Sequence, residues 1–300
     1  MPENNLEISI VIPFYNEEEN IDRMVERVVS ELQQVTEHYE IIAVDDGSKD
    51  NTYEKLCEIK KKTANLRIIK FRRNFGQTQA MQAGIDHARG NIIITMDGDL
   101  QNDPADIPAL VAKMAEGYEV VSGWRKKRKD NILRCIPSKI ANYLLCYVTG
   151  VKIHDNGCSL KAYNASVLKK VRLYSEMHRF IPAFAFLRGG RVTEIVVRHH
   201  PRVRGESKYG FSRIWKVFLD LFTLRLILNF SERPMSWFGA LGLISLLFAI
   251  GILMYLLFNW QQQIVWPGIM LLCAHNALFI LGCGLVSELS VRFSGDIKQD

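Results

Sequence analysis

Two stretches near the C-terminus restrict this chain more than anything else in it. Trp237 to Phe258 carries no charge and is almost wholly apolar; after the polar break Asn259-Trp260-Gln261-Gln262-Gln263, the run Ile264 to Ser287 is again uncharged. Each is long enough to cross a hydrocarbon core of roughly 30 Å as a helix. Trp237, Trp260 and Trp266 stand near the ends of these runs, where interfacial aromatics belong. Two such runs in tandem disfavour the soluble alternative, a pair of buried core helices. The connection between them holds no Lys or Arg, whereas Arg225 and Arg233 precede them and Arg292 and Lys298 follow. The positive-inside rule then predicts a multi-pass protein of the inner or plasma membrane, with both flanks and the large N-terminal part in the cytoplasm. His275 and Asn276 lie inside the second run, and Gly239/Gly242 and Gly282/Gly284 permit close helix approach. Both features suit helix pairing, and a homo-oligomer is expected on the same ground.

The rest of the 300 residues has to be read for its own fold. Lys and Arg number 38 against 32 Asp and Glu, a net charge of +6, too small an excess to indicate nucleic acid. The six cysteines form no C-x-x-C pair and no metal-ligand spacing, so they read as reduced. Met1 to Glu7 is polar and runs straight into strand-like sequence, so no signal peptide is expected there. Residues 7–12 read as a strand closed by Pro13, and Asn16 with Glu19 as a capping box before a helix. Ile21, Met24, Val25, Val28, Leu32 and Val35 fall on one face of that helix. Strands follow at 39–44, 66–71, 92–96 and 119–122, alternating with helices from about 50 to 62, 76 to 88 and 106 to 115. The alternation predicts an α/β fold with a mainly parallel central sheet. Beyond Gly123 come the basic run Arg125–Lys129, a helical stretch at 132–148, a turn at Asp155–Cys158 and an exposed strand at 192–198. A basic, glycine-bearing stretch at 199–208 and an amphipathic segment at 211–230 complete the part before the first span. The segment reads as a helix lying on the membrane surface.

Polar groups collect where the strands end. The first strand delivers Pro13-Phe14-Tyr15-Asn16-Glu17, the second Asp45-Asp46-Gly47-Ser48, the fourth Asp97-Gly98-Asp99. In an open parallel sheet these ends share the edge at which ligands bind. Converging carboxylates there suit a nucleotide together with Mg²⁺ or Mn²⁺, which borrows one or two protein carboxylates and completes its shell from water and phosphates. Gly47 is placed to let backbone approach a ligand closely. Neither G-x-G-x-x-G nor G-x-x-x-x-G-K-[ST] occurs, which excludes the dinucleotide fingerprint and the P-loop. His154, His199 and His200 have no metal-ligand partners in sequence and read as surface or packing residues.

Four stretches taken in order carry a resemblance: Val11–Glu17, Val44–Thr52, Asn74–Gln77 and Met96–Gln101. Over about residues 7–210 the chain resembles the inverting family 2 glycosyltransferases, and more narrowly the polyprenyl-phosphate glycosyltransferases related to dolichol-phosphate mannosyltransferase. The two apolar runs match the bacterial branch of that group. The resemblance implies a Rossmann-like GT-A catalytic domain in the cytoplasm over 1–210, an amphipathic juxtamembrane helix over 211–235, two transmembrane helices within 236–288 and a cytoplasmic tail over 289–300. It implies that Pro13, Tyr15, Glu17, Asp45 and Asp46 line the nucleoside pocket, and that Asp97, Asp99 and Gln101 surround the metal and the diphosphate. It places Asp155 near the acceptor, with Arg202 and Lys208 in a basic loop that closes on phosphates. Two positions depart from the group: Lys161 stands where many members carry Arg, and Gln77 where Lys is common.

The implied reaction moves a sugar from a UDP- or GDP-linked donor to a polyprenyl phosphate, undecaprenyl or dolichyl. Such a phosphate is largely dianionic near neutral pH, its second pKa being about 6, so it is already a nucleophile. It needs positioning against its own charge, for which Arg125, Arg128, Arg134 and Lys139 stand ready beside Arg202 and Lys208. The run at 125–129 reads equally as a face for anionic lipid. Asp155 reads as either a base or an orienting group. A processive polysaccharide synthase is the alternative enzyme, but the Q-x-x-R-W acceptor motif is absent. A nucleotide-sensing membrane scaffold is the non-enzymatic alternative, and the retained metal ligands oppose it.

Overall fold

A computed structural model describes residues 6–126, 142–143, 145–146, 149–169, 179–187, 189–201, 234–259 and 265–296. The chain forms two compact units, Met1–Asp220 and Leu221–Asp300. Arg128, Arg134, Lys139, Arg202, Lys208, Trp260 and the segment 211–230 lie outside the described residues, so the expectations placed on them do too.

The first unit is built on a seven-stranded sheet: β1 (Ile8–Phe14), β2 (Tyr39–Asp45), β3 (Leu66–Lys70), β4 (Ile92–Thr95), β5 (Val120–Trp124), β6 (Lys161–Asn164) and β7 (Val192–Val196). The order is β3-β2-β1-β4-β6-β5-β7. Six strands run the same way, and β6 alone is antiparallel to both its neighbours. Helices α1 (Ile21–Gln33), α2 (Thr52–Lys62), α3 (Gln77–His87) and α4 (Ile107–Ala115) link the first five strands, with a 3₁₀ turn at Pro104–Asp106 before α4. The short α5 (Ala165–Leu168) and α6 (Ile181–Leu187) lie between β6 and β7. The α/β fold with a mainly parallel sheet is therefore as the alternation predicts.

β1 and β2 are buried along nearly their whole length, as central strands covered on both faces must be. α1 buries Ile21, Met24, Val25, Val28 and Leu32 against them, the face read from the sequence. α3 sits close because Gly84 has no side chain; a Cβ there would come within 2.2 Å of a Val11 methyl.

Two local readings need correction. β1 does not stop before Pro13 but runs through it to Phe14. The Met96 amide bonds the Val11 carbonyl and the Asp46 amide the Phe14 carbonyl, so Pro13 faces the β4 side. The β4 ladder ends at the Val11–Thr95 pair, so the donor Pro13 lacks has no partner to miss. Asn16 is not a helix cap. Its φ is +51°, its amide donates to Ser48 Oγ (3.0 Å), and its Oδ1 accepts from the Lys49 amide (2.8 Å). Asn tolerates the left-handed region, and here it clips the end of β1 to the turn after β2. Asn20 occupies the position before α1 instead.

The second unit holds α7 (Pro234–Phe258) and α8 (Val265–Asp296). Both are long and apolar enough to cross a membrane. Most of their large side chains, among them Phe248, Leu272 and Leu278, are exposed, whereas core helices of a soluble domain would be covered. α8 continues well past residue 288, where a tail was expected to begin. The two helices meet where Gly242 admits Leu281 and Gly284 admits Phe238, and Ser245 Oγ donates to the Cys273 carbonyl (2.9 Å). Glu288 accepts from the Met235 amide (3.2 Å), supplying an acceptor to one of the unsatisfied N–H groups that begin α7. Gly239 and Gly282 have nothing within 4 Å of where a Cβ would stand.

Candidate active site

The topology brings five chain segments to one edge of the sheet. β1, β2, β4 and β5 end there, and β6, running backwards, begins there. The residues after β2 and β4 supply acids, those after β5 a cation, and the turn before β6 another acid.

Asp45, the last residue of β2, is fully buried. Its Oδ1 accepts from the Ser48 amide (3.0 Å), while Oδ2 is buried with no hydrogen-bond partner among the described residues. A carboxylate oxygen left in that state is costly unless something else bonds it. Asp46 behaves differently. It accepts from the Phe75 amide (2.7 Å), the Gly76 amide (2.9 Å) and Asn74 Nδ2 (3.0 Å). Burial pushes its pKa up, the charge of Asp45 adds to that, and the two amides oppose it. Asp46 thus braces the 74–76 loop. Gly47, the next residue, is needed for the chain itself: φ is +68° and a Cβ would stand 2.3 Å from the Arg73 carbonyl carbon. The close approach expected of a ligand is made by the loop after β3.

Beyond β4, Gly98 packs against Phe14; a Cβ there would lie 2.5 Å from the ring. Asp97 and Asp99 therefore flank a point where the chain presses onto the end of β1. Gln77 Nε2, at the start of α3, donates to Asp97 Oδ1. Asp99 Oδ1 accepts from the Gln101 amide (3.1 Å), and Leu100 between them takes a positive φ of 59°. Gln77 is thereby bound to one of the two acids, a link the sequence did not reveal. Among the described residues no group of three or more His, Cys, Asp or Glu side chains is placed to hold a metal by itself. Two hard carboxylate donors at an open edge nevertheless fit an ion that takes the rest of its shell from water and phosphate. Tyr15 and Glu17 lie at the same edge, half-buried; Glu17 accepts from Asn20 Nδ2 (2.6 Å), and its amide donates to Thr52 Oγ1 (3.0 Å).

The other half of the edge is basic. Arg125 and Asp155 form a two-point pair, Nε to Oδ2 at 2.7 Å and Nη2 to Oδ1 at 3.0 Å, and the Arg125 amide also reaches Oδ2 (3.3 Å). Their side chains are only 11% and 7% exposed, so little water competes with the pair. Lys161, the first residue of β6, is buried and donates from Nζ to the Asn156 carbonyl (2.9 Å). The sequence marked Arg125 and Asp155 separately, and their pairing emerges only from the fold. The turn between Asp155 and β6 is held to the acidic half: Thr95 Oγ1 donates to the Ser159 carbonyl (2.8 Å) and Asn102 Nδ2 to Ser159 Oγ (2.7 Å).

His154 and His200 make side-chain contacts within the fold. His154 stacks on Trp124 with ring centroids 4.3 Å apart and pairs with Glu194. His200 Nε2 lies 2.8 Å from Asp103 Oδ2, and the amide of His200 donates to the Gln101 carbonyl (2.9 Å). The five described cysteines, Cys57, Cys146, Cys158, Cys273 and Cys283, are all free.

A largely parallel sheet whose carboxyl edge presents paired acids, without a glycine-rich phosphate loop, is the frame of a GT-A glycosyltransferase. The chain belongs to glycosyl transferase family 2, whose model matches residues 9–172. It is 44% identical to a dodecaprenyl-phosphate galacturonate synthase of Rhizobium johnstonii over 97% of this chain and 89% of that one. It is 35% identical to an undecaprenyl-phosphate 4-deoxy-4-formamido-L-arabinose transferase of Shewanella sediminis, over the same shares of each. Among solved structures, glucosyl-3-phosphoglycerate synthase of Mycobacterium tuberculosis, in complex with Mn²⁺, UDP and phosphoglyceric acid, superposes with a TM-score of 0.56 at 19% identity, covering 73% of this chain and 78% of that one. Mannosyl-3-phosphoglycerate synthase of Rubrobacter xylanophilus gives 0.58 at 14% identity, with 75% of each chain covered. These two likenesses establish the fold.

Proposed function

We propose that the chain transfers a glycosyl group from a nucleotide-linked donor to a polyprenyl phosphate, with inversion at the anomeric carbon, on the cytoplasmic face of a membrane crossed by α7 and α8. The observation that carries this reading is the division of one sheet edge into an acidic half, Asp45, Asp97 and Asp99, and a basic half, Arg125 with Lys161 behind it. A diphosphate leaving group and an anionic nucleophile need those two surroundings side by side. The names of both polyprenyl-phosphate relatives, matched over nearly the whole chain, agree with it.

Asp45 Oδ2, which has no hydrogen-bond partner among the described residues, is the acceptor assigned to a nucleoside N–H or hydroxyl. Asp46 acts on that pocket through the 74–76 loop it holds, and Pro13, Tyr15 and Glu17, at the end of β1, are assigned to the same pocket. Asp97 and Asp99, with Gln101 beside them, are the group that would hold Mg²⁺ or Mn²⁺. The ion would supply neutralising charge to the nucleoside diphosphate as it leaves. The acceptor phosphate oxygen forms the new bond to the anomeric carbon as the bond to the diphosphate breaks, and the nucleoside diphosphate departs with the electron pair. Arg125 draws the acceptor phosphate to the edge, joined by Arg202 and Lys208. Asp155 is assigned the orienting role, because its carboxylate already grips Arg125 at two points, and the dianionic acceptor needs no strong base.

The test uses the full-length chain in detergent with labelled UDP- and GDP-sugars and undecaprenyl or dolichyl phosphate. Wild type is expected to form a lipid-phosphate sugar. Asp99→Ala is expected to melt normally and lose at least about a hundredfold in rate, the scale of electrostatic transition-state stabilisation. A fully active Asp99→Ala enzyme, with metal added or chelated, would falsify the assignment. A long-chain glycan product would replace it with a synthase.

A further inference from the structure

Lys161 belongs to the basic half of the edge but lies behind Arg125, and its surroundings are unusual. It opens the one reversed strand, opposite Thr95 of β4 and Ser122 of β5, in the middle of the sheet. Its side chain is buried, and its ammonium has one hydrogen-bond acceptor among the described residues, the neutral carbonyl of Asn156. Removing an ammonium from water costs several kcal/mol unless nearby charge compensates. A methionine would fill the same space without that cost.

The compensating charge belongs to the turn that Lys161 holds. Asn156 follows Asp155 directly, so the Nζ–carbonyl bond fixes the peptide next to the carboxylate that grips Arg125. Burial lowers the Lys161 pKa to about 8; Cys158 and Asp155 oppose that fall, and Arg179 and Arg125 add to it. Asp155 is thus one carboxylate among cations: Arg125, Lys161 and Arg179 all act in this cluster, and Lys161 adds one positive charge to it. With Lys161 neutral or absent, the surroundings of Arg125 and Asp155 lose one positive charge, while Arg179 still acts there.

We infer that Lys161 is a positioning residue for the acceptor: it locks the Asp155 turn so that Arg125 faces the sheet edge, and it adds positive charge behind that pair toward an incoming phosphate. This rests on the polyprenyl-phosphate reading above and adds to it the residue that sets acceptor affinity.

The experiment compares wild type, Lys161→Met and Lys161→Arg as full-length proteins with matched melting curves. Transfer kinetics are measured against donor and against polyprenyl phosphate separately. Hydrogen exchange is followed in peptides covering 120–126 and 153–160. Lys161→Met is expected to raise KM for the lipid phosphate about tenfold, the worth of one charge-assisted contact, with donor KM unchanged. The Arg125 amide, which donates to Asp155, is expected to exchange faster in this variant while β1 and β2 keep their protection. Lys161→Arg is expected to restore both readouts. Equal loss toward donor and acceptor, or exchange that rises across the whole sheet, would show a merely structural lysine and overturn the proposal. Unchanged exchange in Lys161→Met overturns it as well. A wild type inactive on every polyprenyl phosphate would refute the underlying reading, and the exchange measurement would still decide whether Lys161 locks the turn.

Discussion

Asp103 shows what a single carboxylate does for this fold. It accepts from Arg27 Nη2 (2.5 Å), and His200 Nε2 lies 2.8 Å away. Its neighbour Asp106 accepts from the Arg198 amide (2.7 Å). Together they fasten the chain after β7 to the entrance of α4, beside the acidic half of the site. Burial alone would raise Asp103, but the His200 hydrogen bond, the Ala105 amide and the charges of Arg27 and His200 outweigh it and hold the carboxyl below its ordinary value. A folded pKa below the unfolded one means that the unfolded chain binds more protons in acid. The contribution is therefore present above about pH 4 and lost as pH falls through the depressed value. Asp106 runs the other way: burial raises it, opposed by the Arg198 amide and charge, so protonation relieves it. Asp103→Asn is expected to lower the melting temperature at pH 7, and the gap from wild type is expected to narrow progressively as pH falls below about 4. Melting curves across that range check it, and a gap independent of pH would contradict the assignment. Contacts like these were hidden in the sequence. Asp97 and Asp99 were legible because two acids one residue apart after an apolar strand announce themselves. His200 and Asp103 are 97 residues apart and Arg125 and Asp155 are 30 apart, and only the strand order joins them. At Asn16 the local capping rule pointed the wrong way, because the side chain bonds a residue 33 positions on.

Elements long enough to show a period were legible, and short ones were not. α1 announced its buried face through its spacing, and β1, β2 and β4 through their β-branched runs. β6 has four residues, begins with a lysine, and pairs against the direction of the others, so no pattern marks it. Yet it places Lys161 and, through the preceding turn, Asp155. In the apolar pair the glycines looked alike in sequence and differ in the fold. At Gly284 a Cβ would come within 2.6 Å of Phe238 Cβ, whereas Gly282 faces open space. Gly284→Val is expected to part α7 from α8, while Gly282→Val leaves the pair intact. Cysteine cross-linking between positions 245 and 273, where Ser245 meets the Cys273 carbonyl, reads the difference. Equal yields from both variants would show that small residues at 284 are not required.

On the scale of the molecule, the proposed orientation is open to a direct test. Asn259 follows the last turn of α7. In a background with the native cysteines replaced, Asn259→Cys is expected to react with an impermeant maleimide added outside intact cells. A cysteine at Glu7 is expected to react only after the membrane is opened. The reverse pattern would invert the topology and remove the donor's access to the cytoplasm. One property of the fold has a practical meaning for enzymes of this kind. Because β6 runs backwards, the chain that leaves β5 at Trp124 and enters β6 at Lys161 starts and finishes on the same edge of the sheet. It needs no crossover, and its length is not set by the span of a strand. The residues assigned to the donor lie before it, on β1, β2 and β4. Arg125, Asp155 and Lys161, three of the residues proposed for the acceptor, thus lie in one continuous segment: exchanging residues 125–161 between relatives is expected to alter lipid preference with the nucleotide-sugar pocket left in place, and a chimera with unchanged lipid preference would contradict it.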